Sequence, residues 1–146
     1  MRSLRNDFFF EEAVKIISQG ESVEIFVKGK SMAPYLKDEE DKIVLSPLQP
    51  AEPKKGDIVL FLHSEQYLLH RVIKIKENVF TLQGDGVIKN QEEISLSNII
   101  GIVRFIIRPS GKCVSVNDLS HRIYWHCWLF FRPIRRYLLA VNKFFF

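Results

Sequence analysis

Residues 56–75 read GDIVLFLHSEQYLLHRVIKI. Gly56-Asp57 opens the run Ile58-Val59-Leu60-Phe61-Leu62, which is short, apolar and rich in branched and aromatic side chains, as a strand requires. Ser64-Glu65-Gln66 is a polar turn, and Tyr67 to Ile75 continues as a second strand. This pair decides the fold class, because the same signals recur on both sides of it.

Downstream, Asn78 turns the chain into Val79-Phe80-Thr81-Leu82, and Gly84-Asp85-Gly86 makes a tight turn. Ile99 to Ile107 is almost wholly apolar or β-branched and predicts a buried strand. Pro109-Ser110-Gly111 separates it from a last short strand at Cys113 to Val116. Upstream, Val23, Ile25 and Val27 alternate with Glu24, Phe26 and Lys28. A further strand, Lys42 to Leu45, follows the acidic turn Asp38 to Asp41, and Pro47, Pro50 and Pro53 mark a loop. Phe9, Phe10, Ala13, Val14, Ile16 and Ile17 recur at helical spacing, with Gly20 placed to close that first amphipathic helix. Asn117 to Lys143 reads as helical, with a break or kink at Pro133. The expected architecture is mainly β: a small, coiled, antiparallel sheet or barrel with an N-terminal helix and a C-terminal helical tail.

The charge divides the chain at the same place. Residues 1–118 hold 16 Lys and Arg against 17 Asp and Glu; residues 119–146 hold 5 Lys and Arg, no acid, and 9 of the 18 aromatic residues. We therefore divide the 146 residues into a nearly neutral body, 1–118, and a basic aromatic tail, 119–146. That body does not suit a nucleic-acid module spread over the whole protein, so nucleic acid is not an expected partner. Two cysteines, Cys113 and Cys127, make neither a disulfide framework nor a Cys-only zinc site, and suggest reduced thiols in a cytoplasmic protein. Acids interrupt the apolar run at the N-terminus before a secretory signal could form, and no stretch is long and apolar enough to span a bilayer. No Gly-rich phosphate loop is present, and His121, His126 and Cys127 lack helical metal-ligand spacing, so neither cofactor nor metal is expected.

Three residues can carry chemistry. Ser31, after Gly29 and before Met32-Ala33-Pro34, can stand exposed on a sharp bend, as a nucleophile that needs a base, or can simply bond its own turn. His70 shares a face with Leu68 and Val72, where it is either a satisfied core histidine or a base in a dry site. Asp85, in its Gly-Asp-Gly turn, either caps the turn or orients His70 as the acid of a triad does.

In order along the chain, these segments resemble the boxes of the type I signal peptidases and the related SOS-repressor autoproteases. Gly29-Lys30-Ser31-Met32-Ala33-Pro34 resembles their nucleophile box, and Gly56-Asp57-Ile58-Val59 with Phe61 resembles the next. Leu69-His70-Arg71-Val72-Ile73 resembles the box of the general base, Gly84-Asp85-Gly86 the Gly-Asp-Asn turn, and Ile99 to Val103 the strand after it. The resemblance implies a serine endopeptidase acting on a peptide or leader segment, with Ser31 as nucleophile. His70 stands where most bacterial members carry lysine, which is similar to the endoplasmic-reticulum and archaeal signal peptidases. Gln91 falls where that subtype places its orienting acid. Asp85, Glu92 and Glu93 are then the acids available, and Asp85 is taken as the third catalytic residue. Two departures from the resemblance are expected: the amphipathic segment Phe8 to Ile17 takes the place of the signal peptidases' anchor, and 28 residues before the box are too few for the repressors' DNA-binding domain, whose Ala-Gly cleavage pair does not occur in this sequence. The alternative of another class is a catalytically inactive peptide-binding or membrane-docking module on the same fold.

The tail lies outside the resemblance. Its interleaved aromatic and basic residues suit either peripheral contact with a membrane interface or packing on the sheet.

Overall fold

The computed structural model describes residues 6–48, 52–131, 134 and 137–140. Helix α1 (Asn6–Ser18) ends where Gly20 takes a φ of +84°, with the Gly20 N–H donating to the Ile17 carbonyl at 2.9 Å. That conformation carries no Cβ penalty in glycine, which is why the helix stops there. Ala13 and Ile17 turn inward from α1.

Among the described residues eight strands follow: β1 (Val23–Phe26), β2 (Lys42–Ser46), β3 (Ile58–His63), β4 (Gln66–Lys76), β5 (Val79–Gln83), β6 (Glu92–Ser95), β7 (Ile99–Ile107) and β8 (Cys113–Ser115). They form one antiparallel sheet in the order β1-β2-β7-β3-β4-β5-β6, with β8 also paired to β7. Register shifts at Val44/Leu45, Leu60/Phe61 and Val72/Lys74 mark bulges, which bend a sheet and raise its twist. The mainly β architecture with a helix at each end matches the sequence-based expectation. Strand β6 was not anticipated: its four residues, Glu92-Glu93-Ile94-Ser95, carry only one apolar side chain.

The bent sheet buries both faces. Ile25, Ile43, Leu45, Ile58, Leu60, Leu69, Val103 and Ile106 pack on one side with Met32, Tyr35 and Leu36. Val59, Phe61, Val72, Phe80, Leu82, Ile94 and Ile102 pack on the other. Strand β4 lies between β3 and β5 and is buried from Leu69 to Ile73, so His70 and Arg71 are held in core positions on opposite faces.

Helix α2 (Leu119–Phe130) returns to the body. Its Trp125 ring stands over Gly56, where a Cβ would lie 2.2 Å from the indole; only glycine admits that approach, and its φ is +97°. Tyr124 lies edge-on to Tyr35 at 4.3 Å between ring centroids, and His121 Nδ1 meets the Tyr35 hydroxyl at 2.5 Å. Burial, then the nearby Arg71 charge, lower the His121 pKa to about 4, so the ring is neutral at pH 7. The expected break at Pro133 lies outside the described residues.

Candidate active site

Ser31 sits in the turn between β1 and β2. Gly29 enters the turn at a φ of +89°, its N–H donating to Asp38 Oδ1 at 2.8 Å, and the Ala33 N–H donates to the Lys30 carbonyl at 3.1 Å. The Ala33–Pro34 bond is cis. Met32 anchors the turn in the core, while Ser31 is half-buried.

The turn after β5 is built against this one. The Gly86 N–H donates to the Ser31 carbonyl at 2.8 Å. A Cβ on Gly84 would stand 2.2 Å from that same carbonyl oxygen, and one on Gly86 would stand 2.6 Å from the Lys30 carbonyl oxygen. Both glycines of Gly84-Asp85-Gly86 are therefore demanded by backbone packing on the Ser31 turn. Gln83, just ahead of them, pairs with Arg71 of β4, and His70 is the next residue along that strand. The sheet register thus brings the Ser31 turn to the part of β4 that holds His70.

Asp85 does not meet His70 in a hydrogen bond. Its two carboxylate oxygens accept from Arg71 Nε and Nη2, each at 2.9 Å, and Arg71 Nη1 donates to the Gly56 carbonyl at 2.8 Å. Both side chains are buried. Burial, the largest single influence, lowers the Arg71 pKa, but the Asp85 charge and hydrogen bond, with smaller contributions from Tyr124 and Tyr35, together hold the guanidinium above its ordinary value. A bidentate fork of this kind is geometrically specific, so Asp85 is committed to Arg71. The turn is fixed further by Trp128 of α2, whose Nε1 donates to the Asp85 carbonyl at 3.0 Å.

The acid at His70 is Glu92, on β6. Glu92 Oε1 is hydrogen-bonded to His70 Nδ1, and both side chains are more than nine-tenths buried. Glu92 and Ile94 point inward from β6, whereas Glu93 and Ser95 are exposed. The His70 ring lies 5.5 Å from that of Phe61 on the same face. Burial lowers the His70 pKa, and the Glu92 charge and hydrogen bond raise it only part of the way back. The imidazole is then neutral at pH 7. With Nδ1–H donated to the carboxylate, Nε2 carries the free lone pair.

Glu92 was one of three acids open to the sequence, and its signal was the alternation of β6, a strand too polar to be noticed. Arg71 was missed as a site residue; an arginine amid the apolar run of a central strand needs a buried acid, and Asp85 is that acid. A cleft of about 560 Å³ lies beside Tyr35, Arg108 and Tyr124 and includes none of Ser31, His70 or Glu92 in its walls. Among the described residues no cluster of His, Cys, Asp and Glu could hold a metal ion, and no helix is long and apolar enough to cross a membrane.

A bent antiparallel sheet that brings a turn serine to a strand bearing a buried histidine–carboxylate pair fits a serine-peptidase type of fold. Residues 4–104, more than two thirds of the chain, match the Peptidase S24-like family, and the chain belongs to that family. The matched region holds Ser31, His70, Asp85 and Glu92 and stops within β7, so α2 lies outside it. No curated protein matches the chain.

Proposed function

We propose that this protein is a serine endopeptidase in which Ser31 is the nucleophile, His70 the general base and Glu92 the orienting acid. The observation that carries the reading is the buried hydrogen bond between His70 Nδ1 and Glu92. It fixes the tautomer a base needs, in an imidazole kept neutral by burial. A histidine base of the endoplasmic-reticulum and archaeal type then replaces the lysine of most bacterial relatives, and it needs no burial-driven loss of charge as large as lysine does.

In this mechanism His70 Nε2 takes the Ser31 Oγ proton as Oγ attacks the peptide carbonyl. The tetrahedral oxyanion is stabilised by the Ser31 backbone N–H. His70 returns the proton to the leaving amine, and a water molecule, deprotonated in turn by His70, releases the acyl group and restores Ser31. Arg71 and Asp85 hold the Gly84–Gly86 turn against the Ser31 carbonyl and touch no reacting atom.

The substrate is an extended peptide, such as the leader segment of a peptide matured by cleavage. Strand β1 is an edge of the sheet and runs directly into the Ser31 turn, so a peptide added alongside it would pass the nucleophile. Cys113 and Cys127 are both exposed and unpaired, which suits a reducing compartment and a cytoplasmic substrate.

The test is labelling with a serine-reactive phosphonate probe. The parent protein should label, and Ser31→Ala and His70→Ala should not. Absence of labelling of the folded parent between about pH 6 and 9, the range over which a neutral imidazole is present, would overturn the assignment.

A further inference from the structure

Helix α2 is apolar on two sides, and among the described residues only one of them is covered. His121, Trp125 and Trp128 turn to the body, against Tyr35, Gly56 and Asp85. Leu119, Ile123 and Phe130, at spacings of four and seven residues, form a second, mostly apolar stripe along the helix that faces solvent, with His126 exposed among them. They are 70%, 53% and 78% exposed, and Phe131 just beyond is 42% exposed. Single exposed apolar residues are ordinary on a protein surface, but a stripe of large ones on a twelve-residue helix is not.

We propose that this outward face of α2 docks on an anionic lipid bilayer, lying in the interface with Leu119, Ile123 and Phe130 below headgroup level. Charge selects the occupant. Arg122 is exposed next to the stripe, and residues 119–146 carry five Lys and Arg with no Asp or Glu. A second copy of the same chain would bring like charge against like charge. A nucleic acid would use the cations but not the exposed Leu, Ile and Phe side chains. An anionic bilayer takes both, and pairing an inserted apolar stripe with cations is how short interfacial helices bind. The inner face stays on the body, so docking needs no unfolding of α2 and brings the Gly84–Gly86 turn close to the lipid surface. This inference does not depend on the peptidase assignment, since none of its residues belongs to the proposed catalytic set.

The test is sedimentation of the full chain with vesicles of phosphatidylcholine alone and with about one third phosphatidylglycerol added. The protein should sediment with the anionic vesicles and remain in solution with the neutral ones. An Ile123→Asp/Phe130→Asp variant with an unchanged melting temperature should bind the anionic vesicles about tenfold more weakly or worse. Equal binding of parent and folded variant, or no sedimentation of the parent, would overturn the proposal. So would a parent dimer that the variant dissociates while vesicle binding is absent, which would make the occupant a second copy. Binding of duplex DNA by parent and variant alike, without vesicle binding, would assign the basic segment to nucleic acid instead.

Discussion

Glu92 Oε1 accepts the hydrogen bond of His70 Nδ1 from across the sheet, two strands away from the histidine. Strand β5 lies between them and places Leu82 opposite Glu92. A carboxylate brought in from the second strand along, rather than from the Gly84–Gly86 turn, is what distinguishes this arrangement from the one the Gly-Asp-Gly motif suggests.

Replacing Glu92 with Gln should separate orientation from structure. The amide keeps the size of the side chain but no longer stabilises the imidazolium that forms as Ser31 is activated. The phosphonylation rate should fall by about 10²–10⁴-fold. Glu92 raises the His70 pKa, so its loss should move the acid limb of the pH–rate profile to still lower pH. A limb displaced upward, or an unchanged rate, would remove Glu92 from the mechanism.

Asp85→Asn should act on stability. The substitution leaves a buried guanidinium facing an amide, and breaking a buried pair from one side costs about 3–5 kcal/mol. Urea unfolding should show that loss as a lower midpoint. In the fraction that remains folded, the acid limb of labelling should move much less than in Glu92→Gln.

Gly84→Ala should disturb the Ser31 turn without touching any ionisable group. Its Cβ would fall 2.2 Å from the Ser31 carbonyl oxygen, a backbone atom that cannot swing aside as a flexible side chain would. We expect a loss on the order of 3 kcal/mol and a proportionate fall in probe labelling. Gly111→Ala serves as a contrast: nothing lies within 4 Å of a Cβ there, and its φ of +90° makes backbone strain the whole of its cost. Labelling of the folded protein should survive that change.

Acid should weaken the seat of α2. The folded state holds the His121 pKa at about 4, below its ordinary value of 6.5, so in that interval the unfolded chain binds the extra proton. Stability is therefore complete above pH 6.5 and falls as the pH drops toward 4, by about 3 kcal/mol. His121→Gln should flatten this part of the curve when melting temperatures are compared at pH 7 and pH 4.5.

The sequence made β3, β4 and β7 plain because each is a dense run of branched apolar residues. Ser31 and His70 could be picked out as candidates because each stands in a local motif whose neighbours are adjacent in the sequence. Glu92 was ambiguous for a physical reason. A carboxylate that reaches a histidine over two strands is placed by sheet register, and register is a tertiary property that a four-residue polar strand does not announce. Asp85 was assigned to His70 by closeness in motif, but the adjacent Arg71, buried and cationic, has the stronger demand for a carboxylate. For the tail, packing and membrane contact read as rivals in the sequence, yet a helix has two sides, and α2 commits one of them to the turns at Tyr35, Gly56 and Asp85.

Trp125 over Gly56, and Trp128 on the Asp85 carbonyl, bear on how this chain can be divided for experiment. The family match stops at residue 104, and composition suggests a cut after Asp118. Neither is a safe severing point. A fragment ending at either would strip an indole from a glycine shaped to receive it and leave a buried carbonyl without its donor. A piece cut for experiment should therefore run past Trp128, because inactivity of a shorter fragment would not separate loss of these two contacts from absence of a catalyst.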